Sequence, residues 1–396
     1  MRESVDILIS GGGIAGLAAA AAFGTEGYRV ICVDPVAPVT AQEAPQADMR
    51  TTAFLQPSVT LLQVAGLWDR LAPHAMPLQV MRIIDAGGDV PIARRVHDFD
   101  AADISDQPFG WNLPNWLLRR EFLAHVDQLP QVDFRPGIGT ARLFTRESEA
   151  LVTLTDGTRV SARLLVAADG RDSPMRQALG IGVSTTRYGQ KALAFTITHP
   201  EPHHMVSTEI HRSGGPFTLV PLPDRDGRNA SAVVWMEAGA EIARLRALPV
   251  SDFEAEMTAR SCSILGPLTL ASQLTVWPII SQIAERFAGE RTALIAEAAH
   301  VVPPIGAQGL NMSLADLRVL LDLAGPETLG SAAMLDAYHR RRWLEVQLRI
   351  AGVDLLNRAS MIGAQPLRDA RAAALGLLYG VAPVRRGLMQ LGMGMR

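Results

Sequence analysis

The chain opens on a hydrophobic pattern that switches from strand-like to helix-like and back. Residues 5–10 are a short apolar run of the kind that fills a strand buried on both faces. Residues 17–23, rich in alanine and leucine, predict a helix that Gly27 ends. Residues 29–33 predict a second buried strand, stopping at Asp34 and Pro35. A turn carrying Gly11, Gly12, Gly13 and Gly16 joins the first strand to the helix. Strand, turn, helix and strand within about thirty residues make a βαβ unit.

Further along, residues 40–48 form a polar loop, and residues 57–71 predict a helix with apolar positions at Val59, Leu62, Ala65 and Leu67. Residues 80–84 and the stretch around Pro91 predict strands about the turn signal Gly87-Gly88. A helix is expected over 119–129. Residues 151–154 and 159–160 flank Asp156-Gly157, a strong hairpin signal, and 164–167 form another buried strand. From about residue 188 to 274 strand-like segments dominate, as at 193–198, 217–222 and 232–236, and predict an antiparallel domain. A buried strand over 292–296 is followed by a loop and a helix over 311–323. From Ala332 onward the pattern is mainly helical.

Composition narrows the class. The 396 residues are 48% hydrophobic and 19% charged, which reads as globular with a sizeable core. The formal net charge is −3, so no general affinity for nucleic acid is expected. Lys191 is the only lysine. The two cysteines, Cys32 and Cys262, sit among apolar or small residues and fit a reducing cytoplasm better than a disulfide framework. His203 and His204 have no partners at ligand spacing, so no metal is expected. Residues 7–24 carry no charge, but Glu3, Asp6 and the glycines argue for a buried strand and helix over a signal peptide or membrane span.

Gly11, Gly13 and Gly16 satisfy the spacing G-x-G-x-x-G of a dinucleotide turn. The first glycine permits the turn, the second lets backbone approach a pyrophosphate, and the third lets helix and strand pack closely. Ile14 and Ala15 complete the turn, at the helix end where a phosphate would sit. Asp34 closes the second strand, at about the spacing of an acid that binds ribose hydroxyls. The motif does not tell one dinucleotide from another.

Two later blocks add to it. In LLVAADGRDSPMR, residues 164–176, a buried strand delivers Asp169 and Gly170 at its C-terminal end, where open α/β sheets bind ligands. In TALIAEAAHVVPPIGAQGLNMSLAD, residues 292–316, the strand ends at Glu297, an acid able to meet sugar-like hydroxyls. A glycine- and proline-rich loop follows, and Asn311 opens a helix, as a cap or one residue from it. The positive end of that helix could stabilise a negatively charged ring system.

These three blocks, in this order, resemble the aromatic-ring flavin monooxygenases related to para-hydroxybenzoate hydroxylase. In that family the third block usually reads G-D-A-A-H and then P-x-x-G-Q-G-x-N. Here it reads Ala296-Glu297-Ala298-Ala299-His300, then Pro304-Ile305-Gly306-Ala307-Gln308-Gly309-Leu310-Asn311. Glu297 replaces the usual Asp, and Ala296 and Ala307 replace two glycines. More of the chain resembles one branch, the ubiquinone-biosynthesis hydroxylases: Asp48-Met49-Arg50, Gly66-Leu67-Trp68, Leu113-Pro114-Asn115-Trp116, Tyr188-Gly189-Gln190, Leu355-Leu356-Asn357 and Pro366-Leu367.

The resemblance implies an α/β fold: a Rossmann-like FAD-binding domain with an inserted antiparallel β-sheet substrate domain and a helical C-terminal region. The FAD-binding domain would comprise residues 1–75, 111–185 and 277–330, the substrate domain 76–110 and 186–276, and the helical region 331–396. By position, Arg50 and Asn115 would contact the ribityl or pyrophosphate part of FAD, and Asp169 would lie by the pyrophosphate. Glu297 would meet the ribityl or phosphate region. Pro304, Gly306, Ala307, Gln308, Gly309, Leu310 and Asn311 would line the flavin ring, and His300 would be structural. The implied reaction hydroxylates an electron-rich aromatic ring with NAD(P)H and O2, and the cofactor carries the chemistry. A polyprenylated phenol is the expected substrate. A soluble hydroxylase of small phenols, a flavin reductase or dehydrogenase without oxygen insertion, and a non-catalytic flavin-binding subunit of a biosynthetic complex stand as alternatives.

Residues 331–396 hold ten arginines against the four acids Asp336, Glu345, Asp354 and Asp369, and residues 372–395 are rich in aliphatic side chains and methionine. Such a segment can dock peripherally on an anionic membrane or a biosynthetic complex, or pack as a helical subdomain on the protein itself. The expected location is cytoplasmic, peripheral to the inner face of the membrane if the tail docks there.

Overall fold

The computed structural model describes residues 2–88 and 90–394. Among the described residues, one sheet has eight strands. Its parallel core runs in the order Thr292–Leu294, Arg159–Ala167, Arg2–Ser10, Val30–Asp34 and Val132–Pro136. The helix Ile14–Thr25 crosses from Arg2–Ser10 to Val30–Asp34, completing the βαβ unit. Its Ala18, Ala19, Ala20, Ala21 and Phe23 are buried, because small side chains let the helix lie close to the sheet. Ile7, Leu8 and Ile9 beneath it are wholly buried, as a parallel strand covered on both faces requires. The Asp156-Gly157 hairpin joins Glu149–Leu154 to Arg159–Ala167.

A second sheet has nine strands. Its body is antiparallel: Thr275–Ala284, the 17-residue Val183–His199, Arg228–Ala238, Pro216–Arg225 and Val206–His211. Val80–Asp85 then joins Val206–His211 in parallel and is followed by Arg95–Asp100. Side chains alternate on Val183–His199. Leu193, Phe195 and Ile197 pack in one core with Phe253 and Met257 of the helix Val250–Arg260, while Ala192 belongs to another apolar cluster with Ile305 and Val353. A third sheet pairs Thr51–Leu55, Gly110–Pro114 and Met76–Leu78.

Several local expectations are corrected. The helix expected over 57–71 is two, Gln56–Val64 and Trp68–Leu71, because Gly66 turns the chain at φ +70°. The helix expected over 119–129 runs Asn115–Val126, and the strand expected around Pro91 lies at Arg95–Asp100. The strand expected over 292–296 stops at Leu294, since Ala296 is left-handed at φ +55°. The helix expected from Asn311 begins at Gln308. The chain ends in the helices Ala332–Met361, Gln365–Gly380 and Ala382–Met393. Met395 and Arg396, the far end of the basic tail, lie outside the described residues. No helix among the described residues is long and apolar enough to cross a membrane.

Candidate functional site

The glycine turn shows which of its glycines the protein needs for itself. A methyl group on Gly16 would collide with the carbonyl oxygen of Gly11, and one on Gly11, at φ +105°, with the carbonyl of Ala168. Those two glycines let the strands and helix approach. A methyl group on Gly13 would meet nothing within 4 Å, so that glycine leaves open space in front of the helix. Gly13 precedes Ile14 and supplies no side-chain cap, which leaves the first helical N–H groups for a ligand. Asp34 stands where the spacing puts it, but its carboxylate also holds the turn: Oδ2 accepts from the Gly12 N–H at 2.7 Å and Oδ1 from Val36 N–H at 2.8 Å.

Asp169 closes the turn from the neighbouring strand. Its Oδ2 accepts from the Met175 N–H at 3.2 Å and lies 3.5 Å from the Ser10 hydroxyl. Its Oδ1 is buried without a hydrogen-bond partner, and burial pushes the carboxyl above its ordinary pKa. A buried acceptor in that state calls for a hydroxyl or water donor.

Arg50 and Asn115 come together through Asp48, the acid of the Asp48-Met49-Arg50 segment. Asp48 takes three hydrogen bonds from Arg50, from Nε at 2.8 Å, Nη2 at 2.7 Å and the backbone N–H at 3.2 Å. It also accepts from Asn115 Nδ2 at 3.1 Å and Arg119 Nη2 at 3.3 Å. Burial alone would raise the Asp48 pKa, but the hydrogen bonds and charge of Arg50 hold it below the ordinary value. Asn115 Oδ1 accepts from the Thr52 hydroxyl, so both ends of its amide are engaged inside the protein. Asn115 therefore positions Asp48 and Arg50. The Arg50 guanidinium lies 5.4 Å from the ring centre of Trp277, and its Nη1 makes no hydrogen bond among the described residues.

The third block meets the second through charge. Arg171 Nε, one residue past Asp169-Gly170, donates to Glu297 Oε2 at 3.1 Å. The loop then winds through Gly306 at φ +63° and Ala307 at φ +56° into the helix Gln308–Leu323. That helix also starts without a side-chain cap, and a methyl group on Gly309 would meet nothing within 4 Å. Asn311 does not cap it. Instead Asn311 Oδ1 accepts from Leu55 N–H at 2.9 Å and Nδ2 donates to the carbonyls of Ala53 and Ala307 at 2.8 and 2.6 Å. The amide pairs with the strand Thr51–Leu55 as another strand would, and ties the loop to the segment carrying Arg50.

Gln308 is held from the C-terminal helices. Its Oε1 accepts from Arg349 Nη1 at 2.9 Å, and its Nε2 donates to the carbonyls of Gly306 at 2.8 Å and Gly392 at 3.1 Å. The loop amide thus satisfies a carbonyl at the end of the last helix. Beneath the loop, His300 Nε2 lies 2.6 Å from Asp316 Oδ2, and Arg342 Nε donates to Asp316 Oδ1 at 2.8 Å. All three are buried. Burial would raise the Asp316 pKa, yet His300 and Arg342 hold it below the ordinary value. His300 is thereby tied into a buried network with Asp316 and Arg342.

The open helix ends at Gly13 and Gln308, the unpartnered Asp169 oxygen and the clear space at Gly13 and Gly309 fit FAD. A family model described as an FAD binding domain matches residues 4–350. The chain belongs to this FAD-binding family. Over 394 residues this family member is 32% identical to a ubiquinone hydroxylase, UbiL, of Rhodospirillum rubrum, covering 98% of this chain and 89% of that protein. It is 26% identical to the 3-demethoxyubiquinol 3-hydroxylase of Escherichia coli over the full length of both. The p-nitrophenol 4-monooxygenase PnpA of Pseudomonas putida shares the fold, with a TM-score of 0.81 at 19% identity over 100% of this chain and 99% of that one. The family and its ubiquinone-hydroxylase relatives make the protein an FAD-dependent monooxygenase.

Asp48, Arg171, Trp277 and Arg349 complete the site. Asp48 was visible in the Asp48-Met49-Arg50 spacing, since acid and base two apart can pair locally. Arg349 lies 41 residues beyond its partner Gln308, and no local pattern marks it.

Proposed function

We propose that this protein hydroxylates the aromatic ring of a polyprenylated phenol in ubiquinone biosynthesis. The observation that carries this reading is the apolar cluster that meets the ring loop. Ile305 of the loop packs with Ala192, Met236 and Ile279 of the second sheet and with Val353 of the long C-terminal helix. That packing seats the ring loop on the second sheet, so on this reading a flat apolar ring is held between that sheet and the open N-terminus of Gln308–Leu323. The ubiquinone hydroxylases among its relatives support the substrate class.

The protein's own share is binding, orientation and water exclusion. The Gly11–Gly16 turn would hold the pyrophosphate with Asp169 beside it, Asp34 would meet ribose hydroxyls, Arg50 the ribityl or pyrophosphate part, and Glu297 the ribityl or phosphate region. The loop from Pro304 to Asn311 would line the flavin ring, held against the second sheet through Ile305. With FAD bound, NAD(P)H provides two electrons and a proton, and O2 delivers one atom to the ring and the other to water. The long tail of such a substrate resides in a bilayer, so the reading includes a peripheral contact of the C-terminal region with a membrane or a membrane-bound complex.

The test is an assay with NAD(P)H, isotopically labelled O2 and a short-chain prenylphenol. The expected product carries one labelled oxygen. Unlabelled product, or an unchanged quinone pool after gene deletion in a strain without a second hydroxylase of this kind, would overturn the reading.

A further inference from the structure

Among the described residues, ten of the nineteen exposed large hydrophobic side chains fall between Leu344 and Leu391, about an eighth of the chain. They are not scattered. Leu344, Leu348 and Leu355, spaced i, i+4 and i+11, share one face of Ala332–Met361, where Leu348 is 67% and Leu355 69% exposed. Val384, Leu388 and Leu391, spaced i, i+4 and i+7, share one face of Ala382–Met393. That last helix meets the protein by a different side. Arg385 reaches Asp103 and the Tyr379 carbonyl, and Met393 is buried. Gln308 bridges the two helices, accepting from Arg349 and donating to the Gly392 carbonyl.

The charges around these faces have one sign. Each of the four acids of this region is neutralised within the protein: Asp336 by Arg286, Glu345 by Arg342 and Arg349, Asp354 by Arg358, and Asp369 by Arg94. Arg340 and Arg341, which straddle the leucine stripe at Leu344, and Arg386 on the last helix are exposed and form no ion pair among the described residues. A second copy of this chain on the same faces would bring these positive charges together. An apolar stripe flanked by free arginines is complementary to a lipid interface with anionic headgroups.

Building on the prenylated-substrate reading above, we infer that the leucine faces of Ala332–Met361 and Ala382–Met393 form the surface by which this protein docks on an anionic bilayer. The apolar side chains enter the headgroup boundary, and Arg340, Arg341 and Arg386 reach the phosphates. The same helices grip Gln308 of the ring loop, so docking sets the site beside the layer that holds the substrate.

The test is co-sedimentation of the full-length, FAD-loaded protein with mixed phosphatidylethanolamine/phosphatidylglycerol vesicles and with phosphatidylcholine vesicles. Wild type is expected to pellet with the anionic vesicles and to be released by salt near about 0.5 M, where screening is short-ranged. Leu388→Asp/Leu391→Asp and Leu348→Asp/Leu355→Asp should each lower partitioning by roughly tenfold or more, given the apolar area withdrawn. Being exposed, these positions should leave FAD content and turnover of a short-chain soluble phenol unchanged, which shows that the variants are folded. Wild type that stays in solution with both vesicle types, binding indifferent to the aspartates, or aspartates that instead dissolve a dimer would each overturn the inference. Docking without hydroxylation would count against the proposed function alone, and hydroxylation without docking against this surface alone.

Discussion

At Gly11 and Gly16 of the glycine turn a methyl group has nowhere to go, whereas around the ring loop two methyl groups stand where the backbone bends as it does for glycine. On Gly11 and Gly16 an added Cβ strikes backbone carbonyls that belong to the sheet and cannot retreat. At the other end Ala296 and Ala307 adopt φ +55° and +56°. A left-handed alanine costs on the order of 1–2 kcal/mol, so the strain is tolerable when neighbours hold the chain in place. Here they do: Asp316 accepts from the Ala296 N–H, and Asn311 donates to the Ala307 carbonyl. The phosphate end is built by exclusion of side chains, and the ring end by side-chain hydrogen bonds that enforce a strained path.

The largest effect expected from this contrast is at the turn. Gly16→Ala should leave little folded protein, whereas Gly13→Ala should keep the stability of the FAD-free protein and lose FAD affinity by about tenfold or more, because the methyl enters only the ligand's space. Urea denaturation beside FAD titration checks both; equal stability losses would erase the distinction. Next comes Asp316→Asn beneath the ring loop. It removes the carboxylate that the buried His300 and Arg342 share, leaving Arg342 only its bond to Glu345, and should cost about 3 kcal/mol in denaturant unfolding. A loss under about 1 kcal/mol would show that the loop does not depend on that network.

Arg349→Ala removes the hydrogen bond to Gln308 from the C-terminal side. A stability loss of about 0.5–1.5 kcal/mol is expected, together with a shift in the visible flavin spectrum that a purely surface change would not produce. An unmoved spectrum would separate the tail from the ring loop. The smallest effect belongs to Ala307→Gly and Ala296→Gly. Relief of left-handed strain is offset by the unfolded-state entropy of glycine, leaving a net gain of about 0.5 kcal/mol each. A loss of stability would show that these alanines make contacts worth more than their strain.

Much of the phosphate end was legible along the chain because its parts are local. The strand, Gly11, Gly13, Gly16, the helix and Asp34 follow one another within a single βαβ unit, and Asp169 ends a strand that the apolar run 164–167 marks. The ring end was legible as a motif but not as a geometry. Asn311 reads as a cap in sequence, yet its amide is drawn to Ala53 and Leu55, more than 250 residues earlier. Arg50 and Asn115 read as ligands, while the buried carboxylate of Asp48 recruits both.

The sequence by itself determined the alternation of strand and helix, the dinucleotide turn and the family, since periodicity and spacing are properties of neighbours. Only the tertiary structure decided which glycine faces open space, which carboxylate keeps one oxygen unpartnered, and that Arg349 and Gly392 clamp Gln308. Those outcomes depend on who occupies the space across the fold. A buried polar group takes whatever partner the packing brings within about 3 Å, and no local pattern encodes that distance.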